Sequence, residues 1–294
     1  MSDIEREIAD QPTSWRKAVE TASREAQLFP GHGARVAFIG CGTSLYMSQA
    51  VAALRESSGH GETDAFPASE YPAGRPYELI VAISRSGTTT EVVRALETIS
   101  ASSTPTLAVS AVSGTPVIEA ASESIVVEFA DERSVVQTRF ATSVLALFRS
   151  HFGGAIDGAI ADAERMIDAP LPVDPTAFGQ FVFLGTGWRA AIASEAALKM
   201  RETTGAWAEA YPAMEYRHGP ISVATSATVV WTFGPVEASL LDQVRETGAT
   251  VVGDEEVDPM AHLILAQRTA VALAEARGLD PDRPRHLARS VMLS

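Results

Sequence analysis

Between Ser84 and Thr90 the sequence reads SRSGTTT, with hydroxyls on Ser84, Ser86, Thr88, Thr89 and Thr90 around Gly87. Placed where a strand gives way to a helix, such a run offers a small anion three things. These are O–H donors, bare backbone N–H groups and the positive end of a helix dipole. Helix capping needs one hydroxyl and leaves four to account for, so both readings stand, with phosphate as the anion to test. Thr43 and Ser44, at the neighbouring junction GCGTS, would complete such a cradle. A second stretch, EAALKMRETTGAWAEAYPAMEYRHGP from Glu195 to Pro220, is rich in titratable groups. Lys199 and Glu202 lie three residues apart and share one face of a helix. A carboxylate beside a lysine is either a proton acceptor or a surface ion pair. His218, ahead of Gly219-Pro220, reads as a cap or, histidine being the usual proton carrier among side chains, as a proton carrier. Glu209 and Glu215 are further carboxylates that spacing does not rank.

The elements that must hold these residues alternate. A helical arm, with Ser14 as its expected cap, is followed by an apolar run at Arg35–Ile39 and a helix through Glu56. A run at Glu78–Ile83 meets the hydroxyl loop and the helix EVVRALETI. Strand patterns follow at 106–111 and 124–129, then a long helix from Val135 to Phe152. Pro170, Pro172 and Pro175 suit a connection between lobes. The opening pattern then returns: FVFLGTGWRAAIASEAAL repeats VAFIGCGTSLYMSQAVAAL at an offset of 145 residues. Two related α/β halves are expected, each a doubly wound parallel sheet flanked by helices. The expected boundaries are 1–30 for the arm, 31–165 and 166–279 for the halves, and 280–294 for a C-terminal tail. The corresponding loop of the second half, WTFGPVE, has lost nearly all its hydroxyls, so one phosphate site is expected.

Composition narrows the partners. The chain has 294 residues, a formal net charge of −14 and a single cysteine, Cys41. That charge, with no basic stripe, argues against nucleic acid. One cysteine permits no intramolecular disulfide, and the histidines are scattered, so neither a metal nor another cofactor is expected. No export signal or membrane-length apolar run is present, which predicts a cytoplasmic protein. Lys17 and Lys199 are the only lysines. Gly40-Cys-Gly42 and Gly185-Thr-Gly187-Trp-Arg-Ala190 partly match dinucleotide fingerprints, but the first has Leu45 at its third small position. Cys41 reads either as a nucleophile or as a small packed apolar group.

GCGTS, SRSGTTTE, the stretch 195–220 and PRHLARSV near the C-terminus occur in the order and spacing of the tandem sugar isomerase (SIS) family. That family includes the isomerase part of glutamine–fructose-6-phosphate transaminase, amino-sugar-phosphate deaminases and ketose–aldose isomerases, and the resemblance runs over nearly the whole chain. It implies two SIS halves, a homodimer with a shared active site, and a sugar phosphate as small-molecule ligand. By motif, the phosphate lies against Thr43, Ser44, Ser84, Arg85, Ser86 and Thr89, with Val135 and Arg285 as further substrate contacts. Glu202 matches the base that moves a proton between the first two sugar carbons. His218 matches the ring-opening histidine, contributed by the neighbouring subunit, and Lys199 a lysine beside the base. Three departures stand out. No glutaminase domain is present, so ammonia-releasing chemistry is favoured over glutamine-dependent amination. The family's imine-forming lysine is Arg289, which can bind an oxyanion but forms no imine. Arg85 replaces an uncharged amide in the phosphate loop. The activity that the resemblance implies is isomerisation or deamination of a hexose 6-phosphate, with an amino sugar phosphate as the favoured substrate; a non-catalytic sugar-phosphate sensor and a dinucleotide-dependent enzyme are the alternatives.

Overall fold

Short apolar runs that hydrogen-bond side by side in one direction can be buried on both faces, because crossover helices cover them. The computed structural model, which describes residues 1–293, contains two such sheets. The first comprises β1 (Val36–Gly40), β2 (Thr63–Pro67), β3 (Leu79–Ile83), β4 (Thr106–Ser110) and β5 (Glu123–Val126). They are all parallel, in the order β2-β1-β3-β4-β5. The second comprises β6 (Gln180–Gly185), β7 (Trp207–Pro212), β8 (Thr228–Phe233) and β9 (Thr250–Asp254), parallel in the order β7-β6-β8-β9. The helices are α1 (Asp3–Ala9), α2 (Gln11–Arg24), α3 (Thr43–Ser57), α4 (Thr90–Ser100), α5 (Pro116–Ala120) and α6 (Arg139–His151). They continue with α7 (Asp157–Asp168), α8 (Arg189–Thr204), α9 (Ala238–Glu246) and α10 (Pro259–Ala276). The chain is therefore α/β.

It divides into two bodies. One holds residues 13–132, 137–156 and 288–294 and carries the five-stranded sheet; the other holds 1–12, 133–136 and 157–287 and carries the four-stranded sheet. In the five-stranded body β1 and β4 are buried along their whole length, and Trp15 of α2 donates its indole N–H to Thr142 of α6 at 2.8 Å. In the four-stranded body β8 is wholly buried, and α10 lies against α7 and α8.

Each sheet reverses its strand order once, between β1 and β3 and between β6 and β8. Loops that leave the carboxyl ends of strands at such a reversal diverge and open a crevice. Gly40 ends β1 so close to α3 that an added Cβ would stand 2.7 Å from the Ser44 carbonyl carbon. Gly185 ends β6 in the same way, 2.3 Å from the Arg189 carbonyl oxygen. Only glycine lets the helix turn back this tightly over its strand.

Several local expectations are corrected. The arm is two helices. Ser2, with Glu5, forms a capping box on α1, while Ser14 is a buried interior residue of α2. Residues 135–138 do not begin α6, which starts at Arg139 because Glu132 Oε1 accepts from the N–H groups of Thr138 (2.6 Å) and Arg139 (2.8 Å) and caps it there. β2 and β7 were not anticipated. Both are partly exposed edge strands, TDAFP and WAEAYP, without the apolar run that marks the central ones. His218 precedes no α-helix; it closes one 3-10 turn and another follows. Ser294, the last residue of the expected tail, lies outside the described residues.

His262 on α10 is 3% exposed, and its Nδ1 accepts from the Trp231 indole at 3.4 Å. Burial pushes its pKa from 6.5 down to about 4, against smaller opposing effects of the Asp254 carboxylate and the Thr232 backbone. The unfolded chain thus binds this proton first, so the contribution is complete above the unfolded value and is lost as pH falls towards the folded one. The loss between those limits is about 3 kcal/mol. Urea unfolding at pH 7 and at pH 4.5 should show about 2 kcal/mol of this decrement in the wild type, and His262→Asn should lack it.

Candidate active site

In the five-stranded body the hydroxyl loop leaves the carboxyl end of β3 and enters α4, beside the β1–α3 turn. Gly87 has φ +66, and a Cβ there would meet Thr115 Oγ1 at 2.0 Å. The loop therefore packs against residues 112–117 in a form that needs glycine. Thr89 stands at the N-cap of α4, yet its side chain makes no capping bond; its hydroxyl lies 3.3 Å from that of Ser84. Ser86 Oγ accepts from the Thr88 N–H at 3.2 Å and from the Thr88 hydroxyl at 3.1 Å. Capping thus fails to explain the hydroxyls. Thr43 and Ser44 begin α3, both buried.

The C-terminal residues lie on this loop. Ser290 Oγ accepts from Thr88 Oγ1 at 2.8 Å and from Ser86 Oγ at 3.1 Å. The Thr90 N–H, at the start of α4, donates to the Val291 carbonyl at 3.2 Å, and the Leu293 N–H donates to Thr90 Oγ1 at 2.9 Å. Arg85 is buried. Its guanidinium lies 3.7 Å from the Glu132 carboxylate and donates to the Arg289 carbonyl at 2.9 Å. Arg289 in turn donates to the Asp131 carboxylate and the Glu132 carbonyl. The two arginines that depart from the resembling family are thus tied to each other and to Glu132, Arg85 at its carboxylate and Arg289 at its carbonyl.

In the four-stranded body Lys199 is 2% exposed, between two carboxylates on its own helix. Its Nζ lies 3.3 Å from Glu195, which is fully buried, and 2.6 Å from Glu202. Burial pulls the ammonium pKa down, but Glu195 and Glu202 together more than offset it, so the lysine stays charged. A surface ion pair would be solvated on all sides; this one is not. Glu202 also lines a cleft of about 740 Å³ at the end of α8, as do Arg201, Arg283, Arg285 and His286. The structure therefore brings Lys199, Glu202 and Arg285 together, and adds Glu195, Arg283 and His286. His218 is exposed and does not line this cleft; Val135 sits in the segment 133–136 and donates its N–H to the Asp282 carbonyl at 3.1 Å. Glu195 was legible as the residue one turn before Lys199; Glu132 and Asp131, which act through long-range contacts, were not.

Cys41 is half-buried, and its thiol pKa is pushed up to about 11, chiefly by burial and then by Glu91. It is a packed thiol rather than an activated nucleophile. Among the described residues no cluster of His, Cys, Asp and Glu is placed to hold a metal, and no helix is long and apolar enough to cross a membrane.

No protein-family model matches the chain. It is similar to glutamine–fructose-6-phosphate aminotransferase (isomerizing) of Methanothermobacter thermautotrophicus, 28% identical over 97% of this chain and 55% of the relative. It is also similar to the protein of that name from Thermus thermophilus, 29% identical over 97% and 58%. The chain thus spans little more than half the length of these curated relatives. Among solved structures, glucosamine-6-phosphate deaminase from Thermotoga maritima superposes with a TM-score of 0.88 over 99% of this chain and 100% of that one, at 24% identity. The chain has the sugar isomerase (SIS) fold. Tagatose-6-phosphate ketose/aldose isomerase from Escherichia coli shares it, with a TM-score of 0.79 over 96% and 95% of the two chains at 18% identity.

The Glu195–Lys199–Glu202 cluster makes a direct prediction. Lys199→Met leaves two carboxylates without their ammonium, one of them fully buried, and should lower unfolding free energy by about 3–5 kcal/mol. Combining it with Glu195→Gln should recover part of that loss, as measured by chemical denaturation.

Proposed function

We propose that this chain acts on a hexose 6-phosphate, isomerising or deaminating it by proton transfer between C1 and C2, with an amino sugar phosphate as the favoured substrate. The observation that carries the proposal is the carboxylate of Glu202, held at 2.6 Å by a buried Lys199 at the edge of a cleft. A loop of hydroxyls at a helix start supplies the phosphate site. The relatives and the fold support the substrate class.

In this reading Ser84, Ser86, Thr89, Thr43 and Ser44 receive the phosphate, and Arg85 orders the loop from behind while its backbone faces the ligand. His218, supplied by a neighbouring subunit of a homodimer, moves the proton that opens the ring. Glu202 removes the C2 proton of the open amino sugar, giving an enolamine across C1 and C2. Its return to C1 leaves an imine at C2, where water adds and ammonia departs, yielding fructose 6-phosphate. Lys199 holds Glu202 in place and, with Arg285, steadies the oxygen that becomes negative. Val135 meets the sugar. The halves 31–165 and 166–279 serve as phosphate-binding and proton-transfer lobes. No cofactor enters the scheme.

Arg289 favours a second reading, a sugar-phosphate sensor without turnover. Its guanidinium is spent on Asp131 and Glu132, and it cannot form the imine of the family lysine.

Incubation with glucosamine 6-phosphate should release ammonia and fructose 6-phosphate in equal amounts. Glu202→Gln should lower kcat by about 10²–10⁴-fold while the variant still binds the sugar phosphate. Binding without turnover across hexose 6-phosphates would establish the sensor instead. Stabilisation by a nicotinamide dinucleotide and by no sugar phosphate would overturn both.

In the phosphate loop, Ser86→Ala and Thr89→Val together should raise the Kd for inorganic phosphate about tenfold or more, read by calorimetry. An unchanged Kd would place the anion elsewhere.

A further inference from the structure

The segment 133–136 is neither helix nor strand, yet Ser134 and Val136 are buried. Its shape is imposed from outside. Glu7 on α1 is 4% exposed, and its Oε1 accepts from the N–H groups of Arg133 at 2.6 Å and Ser134 at 3.3 Å. Its Oε2 accepts from the Ser134 hydroxyl. The next residue, Val135, donates its N–H to the Asp282 carbonyl at 3.1 Å. Asp282 then returns to α1, where its carboxylate accepts from the N–H groups of Asp3 (2.9 Å) and Ile4 (2.7 Å). Three segments far apart in sequence thus close one ring of hydrogen bonds, entirely within the four-stranded body.

The residue type at position 7 is informative. Ile4, Glu7 and Ile8 are the buried residues of α1. An apolar side chain at 7 would serve packing better, since a buried carboxylate is costly unless its lone pairs are filled. Here they are filled by the backbone and hydroxyl of one short segment, so the carboxylate defines that segment's path.

We propose that Glu7 is a positioning residue, with Asp282 as its counterpart, that sets the backbone around Val135 against the sugar. This rests on the preceding reading, in which Val135 meets the substrate. Glu7 touches no reacting atom; it acts through residues 133–135.

The test compares wild type with Glu7→Gln, which keeps shape and one acceptor but places an NH2 opposite the Ser134 hydroxyl. Glu7→Ala leaves two backbone donors unpaired, so its folding is checked by circular dichroism before use. Kinetics are measured with the best hexose 6-phosphate, and inorganic phosphate affinity by calorimetry. The expected result is a KM about tenfold higher in Glu7→Gln, with kcat and the phosphate Kd changed less than about twofold. A purely structural role would reduce the active fraction, lowering kcat at constant KM. An unchanged KM in a fully active background overturns this inference alone, as does a phosphate Kd that rises in step with KM. A wild type that turns over no hexose 6-phosphate overturns the preceding reading and this one with it.

Discussion

A parallel sheet covered on both faces leaves few places where a side chain can reach solvent and still be held rigidly. The carboxyl ends of the strands are the chief of them, because each strand must there hand over to a helix. The handover is tight at Gly40 and Gly185, where the first helical turn folds back over the strand end at a distance no side chain permits. That close approach brings α3 over β1 and α8 over β6. The hydroxyl loop depends on a related constraint, since Gly87 admits Thr115 where a Cβ would stand. Backbone geometry comes first, and the chemical groups are placed by it.

The two bodies use opposite electrostatic strategies. In the five-stranded body the proposed anion site would draw on neutral groups, the hydroxyls of the Ser84–Thr90 loop at the start of α4. Its charged residue, Arg85, is turned to Glu132 and the Arg289 carbonyl. In the four-stranded body a full positive charge is buried between two negative ones at Glu195, Lys199 and Glu202. A buried ion cluster of this kind adds little to stability compared with apolar packing, but it fixes where each charge sits. Fixed position is what the role proposed for Glu202 would require.

The sequence made the central strands legible because burial on both faces demands uninterrupted apolar runs, as in VAFIG, LIVAI and TVVWTF. It concealed β2 and β7, whose edge positions leave them half-exposed and mixed in composition. Residues 135–138 look helical by local pattern but are held otherwise by Glu7 and Glu132, and Glu7 lies 126 residues away from Arg133. Ser14 has the right type for a helix cap; α2 instead starts at Gln11, and Ser14 is buried inside it. Candidate chemistry followed the same division. Lys199 with Glu202 and the Ser84–Thr90 loop are visible as local spacing. Glu195 was available to the same i, i+4 reasoning. The engagement of Arg289 by Asp131 depends on a fold contact that no local pattern encodes.

Of 23 basic residues only Lys17 and Lys199 are lysines, and their surroundings differ sharply. Lys17 is exposed on α2, whereas Lys199 is enclosed by its carboxylates. Amine-directed reagents such as activated esters therefore meet a single accessible side chain, together with the α-amine. A fluorophore or surface tether directed at amines would attach at the α-amine and at Lys17 on α2, the α-amine reacting first near neutral pH, while Lys199 stays unlabelled.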